Sequence, residues 1–284
     1  MSNHEDSKSN DILQWPEDRE AKCEYGGVIV VKGLTSVVER MPNGDIIKTP
    51  WLDTAESDTY CKQLAIEAKV YQRLGEHPRL VKFKDWNPDK HALTLEYMPY
   101  GNMEAYVKRL RSECSVFKRG FFNSAFECFS WMDQMAEALS LLHSKGVIHC
   151  DVAPRNFLLG ADRNIRIADF GGSSIDGSKA LVCVNRRYRL PCSSWEEMAT
   201  VKGDLFALGS VIYFLIEGKE PFEELSEAEV KTKFKAGQFP EFTDIGKASC
   251  CEEILRLCWH QEAESAEQIR KVLAEIRAEK HRWM

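Results

Sequence analysis

One stretch limits the possible folds more than any other: Val147-Ile148-His149-Cys150-Asp151-Val152-Ala153-Pro154-Arg155-Asn156-Phe157-Leu158-Leu159. It sets a His, an Asp and an Asn at fixed offsets. Pro154 and the Asp/Asn residues disfavour both helix and strand, so a short loop is expected. Apolar runs follow at Phe157 to Leu159 and Ile165 to Ala168, with Gly160 to Asn164 as the turn, which predicts a small hairpin. The second strand runs straight into Asp169-Phe170-Gly171. A carboxylate and an amide at the start of the hairpin, and a second carboxylate at its end, then converge at one edge. Oxygen ligands of this kind suit Mg²⁺, which is commonly shared between carboxylates and substrate phosphates.

In this order and at about this distance, the two motifs resemble the catalytic loop and the metal-binding triplet of the eukaryotic protein kinases. The resemblance implies that Asp151 is the base that receives the substrate hydroxyl proton, and that Asn156 and Asp169 are the metal ligands. ATP and Mg²⁺ are then the cofactors and a protein is the substrate.

Upstream, β-branched residues at Val28 to Val31 and Ser36 to Met41, with Gly33 between them, predict two strands. Pro42-Asn43-Gly44-Asp45 predicts a tight hairpin turn into a third strand, Asp45 to Lys48. The resemblance maps the family's glycine-rich loop onto Val31 to Val38. Of its three glycines only Gly33 is kept, Val31 and Ser36 standing at the other two positions. Val31, Gly33, Ser36 and Val38 are thereby implied as nucleotide contacts, and Lys48 as the lysine that pairs the α- and β-phosphates. Leu64, Ala68, Tyr71 and Leu74 predict a helix from about Ser57 to Leu74, with Gly75 as its stop. Glu67 falls on the edge of that apolar stripe. An inward carboxylate needs a partner, and Lys48 is the natural one, a pair the family requires. Strands at Leu80 to Trp86 and Ala92 to Tyr97 complete a five-stranded small lobe with one helix. The last of them resembles the family's hinge, with Leu95 lining the back of the nucleotide pocket and the backbone of Glu96 and Met98 on the adenine edge.

Beyond Gly101, Phe122, Phe126, Phe129, Met132, Ala136, Leu139 and Leu142 predict a long amphipathic helix that delivers the chain to His149. His143 near its end reads as a satisfied helix-end histidine. Asp204 is expected to open a buried helix, Leu205 to Glu217, ended by Gly218. By resemblance Asp204 ties the base of that helix to the catalytic loop backbone. Cys251 to Trp259 and Ala266 to Ile276 are expected as further helices. The expected fold class is α+β: a bilobal protein-kinase-like fold, with a five-stranded antiparallel sheet plus one helix in the small lobe and a mainly α-helical large lobe. Its divisions are a disordered segment over 1–22, a small lobe over 23–98 and a large lobe over 99–284, one small stand-alone domain of about 23–276.

Several positions depart from the family. Cys150 replaces the arginine before the catalytic aspartate, which normally receives a phosphorylated residue of the activation segment, here about Gly171 to Ser194. Ala153 with Arg155 is similar to the tyrosine-kinase loop, yet the segment with Tyr188-Arg189-Leu190-Pro191 is not, so Ser/Thr and Tyr acceptors both stay open. The family's Ala-Pro-Glu is here Leu190-Pro191-Cys192, and no arginine lies between Trp259 and Ile269, so both ends of one salt bridge are missing; Glu196 or Glu197 is a possible substitute. Arg186, Arg187 and Arg189 are placed to hold a phosphate of the segment, but are expected instead to be solvated or to meet an acidic substrate.

Composition excludes other classes. A net charge of −6 argues against a general nucleic-acid surface. The longest apolar run, Leu205 to Ile216, is well short of the ~20 residues of a membrane helix. Ten cysteines without a Cys-x-x-Cys pair, and a polar start without a secretory signal, indicate reduced thiols in the cytoplasm or nucleus. No feature speaks to oligomeric state. The reading is a kinase transferring the γ-phosphoryl of ATP to a Ser/Thr (or Tyr) hydroxyl of a protein. The alternatives are a weak pseudokinase that binds nucleotide or partners, and a small-molecule phosphotransferase of the aminoglycoside or choline kinase type.

Overall fold

The computed structural model describes residues 21–113, 125–181, 185–192, 194–242 and 245–281. The disordered segment expected over 1–22 lies outside them except for its last two residues, as does Phe122 of the long helix.

Val28–Lys32 (β1), Ser36–Arg40 (β2), Asp45–Pro50 (β3), Phe83–Asn87 (β4) and Ala92–Glu96 (β5) form one antiparallel sheet in the order β1-β2-β3-β5-β4. Val and Ile supply half of the residues of β1 to β3, as suits a pleated, half-covered surface. The β2–β3 turn closes over three residues: Met41 N–H donates to Asp45 O at 2.8 Å and Gly44 N–H to Met41 O at 3.0 Å. Of the Asn-Gly pair only Gly44 takes a positive φ, +90°. Asn43 instead accepts from Asp45 N–H at 3.0 Å through its side chain, the local bond that suits Asn to turns. β3 runs two residues past Lys48, so Lys48 lies within the strand.

Ser57–Leu74 (α1) has the expected limits, and Gly75 closes it with its N–H on Tyr71 O. Leu64, Ala68, Tyr71 and Leu74 are buried, and Glu67 is buried with them at 1% exposure.

Met103–Glu113 (α2) and Ala125–Ser144 (α3) begin the large lobe. Then come Val147–Ile148 (β6), the hairpin Phe157–Leu159 (β7) and Ile165–Ile167 (β8), and Ser174–Ile175 (β9), which pairs with β6. Trp195–Met198 (α4), Val201–Glu217 (α5), Glu227–Lys235 (α6), Ile245–Trp259 (α7) and Ala266–His281 (α8) follow. From Asp204 to Glu217 every residue of α5 is buried, the mark of a helix apolar all round. It forms the axis against which α3 and α7 pack, with α8 laid on α3. Gly209 allows this approach, since a Cβ there would meet Cys258 Cβ at 2.7 Å.

α5 starts one turn before the expected Asp204: Thr200 is the cap, its hydroxyl accepting from Gly203 N–H. α7 and α8 are also longer than their apolar positions implied. The α6 start carried a readable signal, Ser226 and Glu229, which form a reciprocal capping box. The observed architecture is the expected bilobal α+β one.

Candidate active site

The segment after β6 is held by one buried carboxylate. Asp204, in the first turn of α5, accepts from His149 N–H at 2.8 Å, from Cys150 N–H at 3.0 Å and from His143 Nε2 at 3.0 Å. His143 is therefore satisfied on its Nε2 side. This grip holds Cys150 at φ +65°, a left-handed backbone that costs an L-residue roughly 1–3 kcal/mol unless its surroundings fix it. Asp151 N–H donates to His149 Nδ1 at 3.2 Å, while His149 Nε2 donates to Ala168 O at 3.1 Å. The expected loop is tightened at its end into one turn of 3₁₀ helix, Pro154–Asn156, with Pro154 at its start, where its missing N–H costs nothing.

The Asp151 carboxylate accepts from Arg155 at 2.7 Å and from Asn156 Nδ2 at 2.9 Å. Burial raises the Asp151 pKa above its ordinary value, and the charge of Arg155 opposes that rise. Asn156 also donates Nδ2 to Asp151 O at 2.7 Å, which commits its nitrogen and leaves the amide oxygen for a cation. Ala168 N–H donates to Asn156 O at 3.0 Å, so the next residue, Asp169, lies beside Asn156.

Asp169, at φ +67°, turns toward the small lobe. Lys48 Nζ bridges it and Glu67, at 2.7 Å from each. Burial alone would lower the Lys48 pKa, but the two carboxylates outweigh it and the ammonium is raised. Burial likewise acts to raise Asp169, and Lys48 overrides it, so Asp169 is held ionised below its usual range. Glu67, in contrast, is raised by burial. The half-exposed Asp169 carboxylate (49%) is the one placed to share its charge with a ligand.

A column of rings joins these parts, and sequence reasoning missed it. Phe83 stacks on Tyr71 at 5.8 Å, Tyr71 meets Phe170 edge-on at 4.9 Å, and Phe170 meets His149 at 5.3 Å. The available signal was Tyr71, one helical turn after Glu67 on the same face.

Strand register gathers the remaining small-lobe residues. Val31 pairs with Val38, Val38 with Lys48, and Ile46 with Leu95. Paired residues share a face and residues two apart on a strand do too, so Val31, Ser36, Val38, Lys48 and Leu95 lie on one side of the sheet. Gly33 sits in the β1–β2 turn, its N–H on Ser36 O and its carbonyl bound by Trp51 Nε1 at 2.9 Å. At the strand end, Glu96 N–H is taken by Lys82 O and Met98 O by Gly101 N–H.

The segment after Gly171 is fastened. Ser173 and Ser174 are buried; Ser173 Oγ donates to His149 O, and Ser174 Oγ to Ser178 O. Arg187 was expected to be solvated, but it is buried, with Nε 3.3 Å from Glu220 and a second nitrogen donating to Leu225 O at 2.6 Å. Tyr188 OH donates to the same Glu220 carboxylate at 3.2 Å. This pair anchors the segment without the Ala-Pro-Glu bridge. The side chain of Glu196, offered as a substitute, lies outside the described residues.

The family model "Protein kinase domain" matches residues 45–280. The chain is 32% identical over 199 residues to Aurora/IPL1-related protein kinase 2 of Caenorhabditis briggsae, covering 68% of this chain and 62% of that protein. It is 30% identical over 200 residues to Aurora kinase B of Danio rerio, covering 68% and 59%. Similarity at 28% identity to receptor-interacting serine/threonine-protein kinase 1 of Homo sapiens extends over 91% of this chain and 39% of that protein. The chain thus spans about six-tenths or less of the length of these relatives.

Proposed function

The chain belongs to the protein kinase domain family, and from that premise we propose that it transfers the γ-phosphoryl group of ATP to a Ser or Thr hydroxyl of a protein. The observation that carries the proposal is the meeting of Lys48, Asp169, Asn156 and Asp151 around one point between the lobes. Lys48, ionised and fixed by Glu67 and Asp169, binds the phosphates. Val31, Gly33, Ser36 and Val38, on or next to the sheet face that bears Lys48, cover the nucleotide, and Leu95 closes its back. Because Glu96 N–H and Met98 O are already bonded, the Glu96 carbonyl and the Met98 N–H are the groups offered to a purine edge.

Among the described residues no group of three His, Cys, Asp or Glu side chains forms a metal cage. The residues present nevertheless fit Mg²⁺, which binds through one or two protein oxygens together with substrate phosphates and water. The Asn156 amide oxygen and the ionised Asp169 carboxylate would hold it. When bound, Mg²⁺ neutralises phosphate charge.

Asp151 accepts the proton of the acceptor hydroxyl as that oxygen attacks. Its raised pKa favours that transfer, and Arg155 and Asn156 orient the carboxylate. Phosphoryl transfer asks a protein for positioning and charge more than for covalent chemistry, and these residues supply both. Their convergence supports turnover over a pseudokinase role. Arg155 on Asp151 favours a second reading, a Tyr acceptor; the relative named a serine/threonine kinase favours the first. The test is γ-phosphate transfer from Mg-ATP to generic protein substrates, with the phosphorylated residues mapped by mass spectrometry. Phosphoserine or phosphothreonine is expected. Phosphotyrosine alone would reverse the acceptor assignment, and no transfer under any condition would overturn the proposal.

A further inference from the structure

The turn Arg186–Tyr188 packs on α6. Arg187 and Asn185 fix it there, Arg187 through Glu220 and Leu225 O, Asn185 through Glu227 at 3.2 Å. This docking brings Arg186 and Arg189 near Lys231 of α6, with Lys235 one helical turn further along the same helix. Their mutual repulsion is felt: the charges of Arg186 and Lys235 hold the Lys231 ammonium below its ordinary value, with Arg189 adding to them.

The nearby carboxylates are engaged elsewhere. Glu229 closes the capping box with Ser226, and Glu227 accepts from Asn185. Arg186, Lys231 and Lys235 form no ion pair with a carboxylate among the described residues. A chain of net charge −6 thus concentrates unneutralised positive charge at one place. That place adjoins the loop that carries Asp151: the Arg186–Tyr188 turn also packs on α5, whose Asp204 holds the backbone of His149 and Cys150.

We propose that Arg186, Lys231 and Lys235 form a substrate subsite that selects acidic residues flanking the acceptor hydroxyl. The inference rests on the phosphotransfer reading and names its substrate class. Clustered like charge beside a reaction site raises the encounter rate and affinity of oppositely charged ligands, in a salt-dependent way. A neutral or basic flank forgoes that gain or meets repulsion.

The experiment compares serine peptides flanked by Asp/Glu, by Ala or by Lys, at low and high ionic strength. It uses wild-type protein, Lys235→Glu alone at an exposed position, and the Lys231→Glu/Lys235→Glu double variant. Binding of a fluorescein-labelled acidic peptide is read by anisotropy in parallel, independently of turnover. For wild type, kcat/KM for the acidic peptide should exceed that for the alanine peptide by about tenfold or more at low salt, as expected of steering by several charges. The ratio should fall toward one in Lys235→Glu and reverse in the double variant, with acidic-peptide binding weakened in step. Equal turnover of acidic and alanine peptides by wild type would overturn the subsite and leave phosphotransfer standing. Acidic-peptide binding that these variants abolish, with no turnover of any peptide, would uphold the subsite and overturn the transfer reading.

Discussion

Burial raises the Asp151 carboxyl, and Arg155 at 2.7 Å works against that rise. Replacing Arg155 by Met removes the opposing charge, so Asp151 should hold its proton to higher pH. The acid limb of the kcat/KM profile, where the base becomes protonated, should move upward; a limb that stays put or moves down would deny Arg155 its part in tuning the base. Tyr71 offers a second test at this scale. Its hydroxyl is buried without a hydrogen-bond partner among the described residues, inside the ring column. Tyr71→Phe keeps the rings and removes the unmet polar group, so urea unfolding should show a gain of about 1 kcal/mol. A loss of stability would mean that the hydroxyl is bonded after all.

At the scale of elements, α1 matters as the holder of Glu67. Lys48→Met and Glu67→Gln should each impair phosphate positioning, with coupling of about 2 kcal/mol in a double-mutant cycle on kcat/KM. Additive effects would place the two apart during turnover. The pair was legible because Glu67 falls on the apolar stripe of a helix whose limits its own residues set. The segment from Gly171 onward was less so. Its polar composition reads as solvated, yet Ser173, Ser174 and Arg187 are buried by bonds to His149 O, Ser178 O and Glu220. Two of these partners, His149 and Glu220, are distant in sequence from the residues they hold and leave no local pattern. With Cys150 in place of the arginine that a loop phosphate would neutralise, and the segment fastened this way, activity should not need phosphorylation there. Phosphatase-treated protein, which keeps the Ser173 and Ser174 hydroxyl bonds, should turn over at a rate close to that of the untreated protein. A tenfold drop, about 1.4 kcal/mol of barrier, would contradict this.

For the molecule as a whole, the bilobal α+β fold was legible from periodicity and from six residues in order, Lys48, Glu67, Asp151, Asn156, Asp169 and Asp204, of which the structure pairs Lys48 with Glu67 and Asp169. Chain order places such groups only after the fold is known, which is why the resemblance was needed to join Lys48 to Asp169, 121 positions apart. The ring column and the Arg187–Glu220 anchor are tertiary and had no such guide. The α5 start was misplaced because Asp204 reads as a cap, whereas Thr200 performs the capping and Asp204 holds the backbone of His149 and Cys150. The central claim is a division of labour, with Asp151 acting on the acceptor and Asp169 on the metal-nucleotide. Its most direct test is to measure Mg-ATP affinity by calorimetry, together with phosphotransfer, in Asp151→Asn and Asp169→Asn. Both variants should lose transfer; Asp151→Asn should bind Mg-ATP about as tightly as wild type, and Asp169→Asn at least tenfold more weakly, the loss expected on removing one charged metal ligand. Equal loss of nucleotide affinity in the two variants would contradict the assignment.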